Sequence, residues 1–167
     1  MEYVGQRSIK RLCNFYVSEL HLSVMLMPYL NRQLNEDVEI TTIFEKLEKE
    51  KFKIVLDKLN IKNKSDILRI NWLNSDIDTY EKIEGTIEKG IKEKKKVTII
   101  IGGNKDYICR NNANIMKVLQ KNNSADEIKI INCYNVDEVG KDIKSIIENY
   151  DGILNTAGEC NKNFIDE

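Results

Sequence analysis

The chain has 167 residues, enough for one domain with a sizeable core. Apolar residues make up 41% and charged residues 32%, the balance of a globular protein rather than a disordered or membrane-embedded chain. Lys+Arg 26 against Asp+Glu 27 leave a net charge of -1, which excludes the basic footprint of a nucleic-acid binder and gives no polybasic surface for a membrane.

The opening MEYVGQRSIKRL has no apolar core and no cleavage site, so it does not read as a secretory signal. Residues 12–16 (LCNFY) form the first strand candidate. Ser18 then suits a helix N-cap, because its hydroxyl can accept an orphan backbone N–H. Leu20, Val24, Met27, Leu30 and Leu34 follow at spacings of three and four and line one helical face. Glu19, His21 and Pro28 interrupt the longest apolar stretch, which is too short and polar to span a bilayer. Pro28 should kink or split this helix.

Residues 38–44 (VEITTIF) alternate and are rich in β-branched side chains, predicting a second strand. A helix is expected over 45–59, with Leu47, Phe52, Val55, Leu56 and Leu59 facing inward. Residues 67–72 (ILRINW) predict a third strand. Residues 79–95 predict an amphipathic helix with Tyr80, Ile83, Ile87 and Ile91 on its buried stripe, locally weakened by Gly85 and Gly90. The lysines of its end suit the negative pole of the helix dipole.

Residues 97–104 (VTIIIGGN) are the most informative stretch. A β-branched, fully apolar strand ending in two glycines belongs in the middle of a parallel sheet, and its end is where such sheets place ligands. A helix over 106–120, a loop over 121–127, a strand over 128–133 (IKIINC), a helix over 136–150 and a short strand over 152–155 complete the alternation. The polar segment 157–167 is expected to fray.

The pattern predicts a single α/β domain over 1–167 with its core at about 10–155. Its architecture is three-layered, a mainly parallel sheet of about six strands with helices on both faces. Cys13, Cys109, Cys133 and Cys160 show no C-x-x-C spacing and read as free thiols in a cytoplasmic protein.

Candidate site residues cluster at strand ends. Gly102, Gly103 and Asn104 follow the buried strand and precede a helix, where glycines admit a close ligand and free N–H groups hold an anion. The alternative is an ordinary tight turn. Asn132, Cys133, Tyr134 and Asn135 end one strand, and Asn14, Phe15, Tyr16 and Ser18 end another, so both fall near Gly102 if these strands are central. Glu19, also a candidate ligand-binding residue, equally suits the positive N-terminal dipole of its helix. Tyr16 and Tyr134 equally suit core aromatics whose hydroxyls reach solvent. His21, the one histidine, reads as a helix-surface residue, although a pair with Cys13 is conceivable for nucleophilic work. Asp137, Glu138 and Asp106 suit helix N-termini. No GK[ST] phosphate loop occurs, and no acid directly follows the buried run.

Three stretches carry a family resemblance: RLCNFYVSEL at 11–20, MLMPYLNRQL at 25–34 and INCYNVDEVGKDIKSIIENYDGILN at 131–155. Together they resemble the DcmR-type sensory domain (MEDS), a relative of the KaiC/RecA-like ATPases. The resemblance implies a degenerate RecA/KaiC-like core without a phosphate loop, which works as a sensor or interaction unit in bacterial signalling and transcription. It further implies a small organic ligand, with Arg11, Cys13, Asn132 and Cys133 at or beside the positions where the family places His and Cys. Arg11 replaces the family's His, Asn132 its later Cys, and Asn135 its Asp. The expected function is therefore a non-enzymatic cytoplasmic regulatory domain without a cofactor or metal. It would act through a protein partner such as a signalling kinase or transcription regulator, with a homodimer as the default assembly. The competing expectation is a nucleotide- or phosphate-binding enzyme that cradles its ligand on Gly102, Gly103 and Asn104.

Overall fold

The computed structural model describes residues 2–4, 7–74, 79–122 and 127–162. Residues 123–126 of the expected loop and 163–167 of the expected tail lie outside the described residues. The strands are β1 (Glu2–Val4), β2 (Arg7–Tyr16), β3 (Glu39–Phe44), β4 (Asn71–Asn74), β5 (Val97–Gly103), β6 (Glu127–Asn135), β7 (Gly152–Asn155) and β8 (Gly158–Asn161). The helices are α1 (Glu19–Asn35), α2 (Lys49–Lys58), α3 (Lys64–Arg69), α4 (Thr79–Glu93), α5 (Lys105–Lys121), α6 (Val136–Val139) and α7 (Ile143–Ile147).

The eight strands form one sheet in the order β4-β3-β5-β6-β2-β7-β8, with β1 paired to β2. A strand occurs in each of the six expected places, the third shifted to Asn71–Asn74, and these six run parallel to one another. The two additional strands, β1 and β8, are antiparallel. The chain travels toward the β4 edge through α1 and then α2–α3, and back through α4, α5 and α6–α7. Right-handed crossovers send these two directions to opposite faces of the sheet. The core divides accordingly. Leu22, Leu26, Phe52, Leu56 and Ile67 from α1–α3 pack on Leu12, Ile100, Ile131 and Cys133. Ile83, Ile87, Ile108, Ile115 and Ile147 from α4, α5 and α7 pack on Ile9, Cys13, Ile99, Ile101 and Ile130. Each strand thus gives alternate side chains to the two helical layers.

Five expectations need correction. Residues 67–69 belong to helix α3, not to a strand, and the strand begins at Asn71. A short apolar run fits a buried helical turn as well as a strand, and here Ile67 is wholly buried beneath α1 and α2. The helix expected from Glu45 begins at Lys49, leaving residues 45–48 as a loop. Pro28 does not split α1. The bond it forfeits is to the carbonyl of Val24, which lies on the exposed side where water can replace it. The helix expected over 136–150 breaks into α6, a 3-10 turn at Gly140–Asp142 and α7, the break falling at Gly140. The expected fraying from residue 157 is replaced at 158–161 by β8, whose Gly158 adopts φ +108 and lies where a Cβ would stand 2.9 Å from the Arg32 guanidinium.

Candidate functional site

The connections leaving β3 and β5 go to opposite faces of the sheet, and so do those leaving β2 and β6. Divergence at the carboxyl ends of parallel strands opens a crevice. Here it holds a cavity of about 180 Å³ bounded by Tyr16, Glu19, Glu45, Gly103, Asn104 and Glu138, with Phe44, Leu22 and Leu47 among its apolar walls. Gly102, Lys46 and Asn135 also border it.

Only Val17 and Ser18 join β2 to α1, a connection too short for a phosphate-wrapping loop. It is closed reciprocally. The His21 backbone N–H donates to Ser18 Oγ at 3.1 Å, and the Val17 N–H donates to His21 Nδ1 at 3.1 Å. His21 is therefore a capping residue whose ring nitrogen is occupied. Asn104 caps α5 in the same way, accepting the Tyr107 N–H at 2.8 Å. Asn135 caps α6, accepting the Asp137 N–H at 2.9 Å. Three helix N-termini converge on the crevice, each engaged by its own cap.

Glu45 closes the glycine turn. Its Oε2 accepts the Asn104 backbone N–H at 2.9 Å, and its Oε1 accepts from Asn104 Nδ2 at 3.1 Å. The Glu45 backbone N–H donates to the Gly102 carbonyl at 2.9 Å, so the loops after β3 and β5 are tied twice. The position that an external anion would take at the start of α5 is filled by this chain's own carboxylate. The glycines have local reasons too. A Cβ on Gly102 would lie 2.5 Å from the Phe44 ring, and one on Gly103 would lie 2.7 Å from Tyr107 and 2.8 Å from Glu45 Oε2. Side chains of the protein occupy the space the glycines leave.

Tyr16 projects into an acidic setting. Burial, then the Cys133 thiol and the carboxylates of Glu138, Glu19 and Glu45, push its phenol up to about 12. Glu19 is shared with Lys51 at 3.5 Å, whereas Glu138 is exposed and has no partner among the described residues. The crevice thus presents carboxylate and amide oxygens around a neutral phenol. Among the described residues no group of three or more His, Cys, Asp and Glu is placed to hold a metal ion.

Of the ten residues singled out from sequence, Tyr16, Glu19, Gly102, Gly103 and Asn104 meet at this crevice, and five do not. Strand alternation turns Arg11, Cys13, Asn132 and Tyr134 to the opposite face, beneath α5 and α7. There Asn132 donates to the Tyr150 hydroxyl at 2.7 Å and pairs its amide with Asn112 at 3.0 and 3.2 Å. Tyr134 stacks on Phe15 at 5.8 Å and shares a hydrogen bond with Tyr150 at 2.6 Å. The Arg11 guanidinium meets Met116 Sδ at 3.4 Å, and its backbone N–H donates to Asp151 at 2.8 Å. Cys133 faces the crevice side but lies beside Gly102 on the neighbouring strand, wholly buried. Burial raises both the Cys13 thiol, to about 12, and the Cys133 thiol, so neither is a nucleophile near neutral pH. Sequence reading missed Glu45 as a site residue and took Glu138 for a dipole partner only. The available signal was position: Glu45 directly follows β3, and Glu138 lies in the first turn after β6.

A larger open groove of about 730 Å³ lies at the other end of β3, between α3 and α4. On its rim Lys89 pairs with Glu39 at 3.3 Å and Arg69 with Asp66 at 3.8 Å, and Glu81 and Lys82 also border it. Among the described residues no helix is long and apolar enough to cross a membrane. No family model matches the sequence, and no curated protein matches it.

Proposed function

We propose that the protein is a non-enzymatic regulatory module that recognises a small organic molecule in the crevice at the carboxyl ends of its strands and acts through contact with another protein. The observation that supports this reading is the Glu45 carboxylate bound at 2.9 and 3.1 Å to Asn104, at the glycine turn where the competing reading would cradle a phosphate. That contact favours recognition over phosphoryl chemistry and weighs against the competing nucleotide-binding enzyme. Size supports the same conclusion. A cavity of about 180 Å³ is small beside the roughly 300–1,000 Å³ of sites for drug-sized ligands. Its lining of three glutamates against one lysine suits a ligand that donates hydrogen bonds. The sensory-domain resemblance implies the output, a signalling kinase or transcription regulator in the cytoplasm.

The test is calorimetric titration and thermal denaturation with a panel of small amines, amides and alcohols, with ATP and inorganic phosphate run alongside. A ligand present at ~100 times its Kd should add about 2.7 kcal/mol to the unfolding free energy. That gain should vanish in Tyr16→Ala. Binding or turnover of ATP by the wild type, or no stabilisation by any small molecule of the panel, overturns the reading.

A further inference from the structure

The groove of about 730 Å³ at the amino end of β3 falls within the roughly 300–1,000 Å³ of ligand pockets. It opens where a strand stops short. β3 has 6 residues and its edge neighbour β4 has 4, and their pairing begins only at Thr41 opposite Asn71. Before that point Glu39 and Ile40 have β5 on one side and the groove on the other. The two helical layers continue past the start of β4. α3 supplies one wall and α4 the other, so the gap is a slot between the layers at the sheet edge. Both walls are fixed. Thr86 of α4 is hydrogen-bonded to Thr41, and the Asn63 N–H ahead of α3 donates to Asn31 at 3.2 Å.

Two observations point to an occupant. The first is an unused donor. The N–H groups of Glu39 and Glu45 go to Lys96 and Gly102 at 2.9 Å on the β5 side, so alternation turns the Ile40 N–H toward the slot. It has no partner among the described residues although Ile40 is only 6% exposed, and a buried backbone donor is normally paired. The second is Gly85 in the interior of α4. Glycine weakens a helix, and a Cβ here would meet nothing within 4 Å, so no packing requires it. The other glycine of α4, Gly90, is required by the Val97 side chain. Gly85 leaves the helix backbone bare on the wall of the slot and lets a ligand approach it closely.

The chemistry of the occupant follows. A free N–H at the edge of a strand is answered by the carbonyl of an extended chain, as in strand addition to a sheet. The charged residues on the lining are Glu39, Asp66 and Glu81 against Arg69, Lys82 and Lys89, three of each sign. Glu39 is paired with Lys89 and Asp66 with Arg69. The complement of so balanced a rim is a segment without net charge, and Leu34 and Ile70 offer it apolar contact.

We propose that the slot between α3 and α4 binds an extended, uncharged segment of a partner protein, which continues the sheet beside the amino end of β3. This rests on reading the protein as acting through another protein, but not on the crevice holding a ligand.

Amide exchange followed by NMR tests it on the full chain. In the free protein the Ile40 amide should exchange before those of Glu39 and Thr41. Random short peptides displayed on phage and panned against the wild type should yield uncharged sequences. Synthetic copies should slow the Ile40 amide and bind Gly85→Leu about tenfold more weakly. That variant should keep its fold by circular dichroism, because the position is open and leucine favours a helix. An Ile40 amide protected in the free chain overturns the inference. So does a panning that enriches nothing or only charged peptides, or binding indifferent to Gly85→Leu. Protection of Ile40 that rises with protein concentration alone overturns it too, since the occupant is then a second copy. Titrating the small-molecule panel into Gly85→Leu tests the crevice separately, because the crevice is intact there.

Discussion

Two acidic sites lie at opposite ends of the neighbouring strands β2 and β6, one a single glutamate and the other a set of three, and their partners differ. Toward the amino ends, Glu159 of β8 receives Lys10 at 3.0 Å, Lys129, and the Tyr29 hydroxyl at 2.9 Å. Lys129 also lies over the Tyr29 ring at 5.8 Å. Burial alone would raise the Glu159 carboxyl, but the hydrogen bonds from Lys129 and Lys10, the Lys129 charge and Tyr29 bring it down to about 2. Every strong acceptor there is used, and the cluster fastens β8 to the sheet and to α1. At the carboxyl ends, Glu19, Glu45 and Glu138 surround one phenol, with Lys46 as the single lysine on the lining. Glu45 is held by Asn104 and Glu19 by Lys51, so the difference is between a carboxylate wholly spent on the fold and a crevice where Glu138 keeps its charge unpaired among the described residues.

The largest effect that would break this comparison is expected at the crevice floor. Gly102→Val places branched carbons where even a Cβ stands 2.5 Å from Phe44, so overpacking should cost about 3 kcal/mol in denaturant unfolding. A loss under about 0.5 kcal/mol would mean that the floor yields and that the glycine serves something else. Next comes Glu159→Gln, which leaves Lys129 and Lys10 facing each other. About 1–2 kcal/mol is expected after allowing for solvent screening of a half-exposed cluster. Its pH signature is specific. The folded carboxyl, at about 2, lies below its ordinary 4.5, so its contribution is complete above about pH 4.5 and drains as the pH falls toward 2. The stability gap between wild type and Glu159→Gln should close across that window; a gap constant with pH would refute the assigned charge state. A smaller change, about 1 kcal/mol, is expected for Glu45→Ala, which unties Asn104. Smallest is Glu138→Gln, expected within about 0.5 kcal/mol because that carboxylate has no partner among the described residues. A large loss there would erase the distinction between the two ends.

The sequence made some of this legible and hid the rest for identifiable reasons. Ile99, Ile100 and Ile101 announce a strand buried on both faces, because β-branched side chains without alternation have no solvent side to show. Ile67 and Leu68 misled, since a helix of 6 residues and a strand of similar length give the same apolar run. β8 carries its information in Glu159 and Gly158, whose partners Lys129 and Arg32 are remote in sequence, so local pattern is silent. At the crevice, Gly102–Asn104 and Tyr16 were readable from their position after strands. Tyr134 and Asn132 were assigned to the same crevice, but the period of two along β6 turns them to the other face. Glu45 looked like the start of a helix, and only the register of β3 against β5 brings it to Asn104.

The broken helical segment after β6 has a consequence for how anything enters. Glu138 sits on α6, which Asn135 caps and which has 4 residues, and α7 beyond Gly140 has 5, whereas α1 and α5 have 17 each. Pieces this short hold few bonds of their own and open at less cost than the long helices. Deuterium should therefore label residues 136–147 well before 105–121. On the proposed function, that easily opened flank would be the doorway to the crevice, and the isoleucine-rich strands beside it the doorpost that keeps its shape while traffic passes.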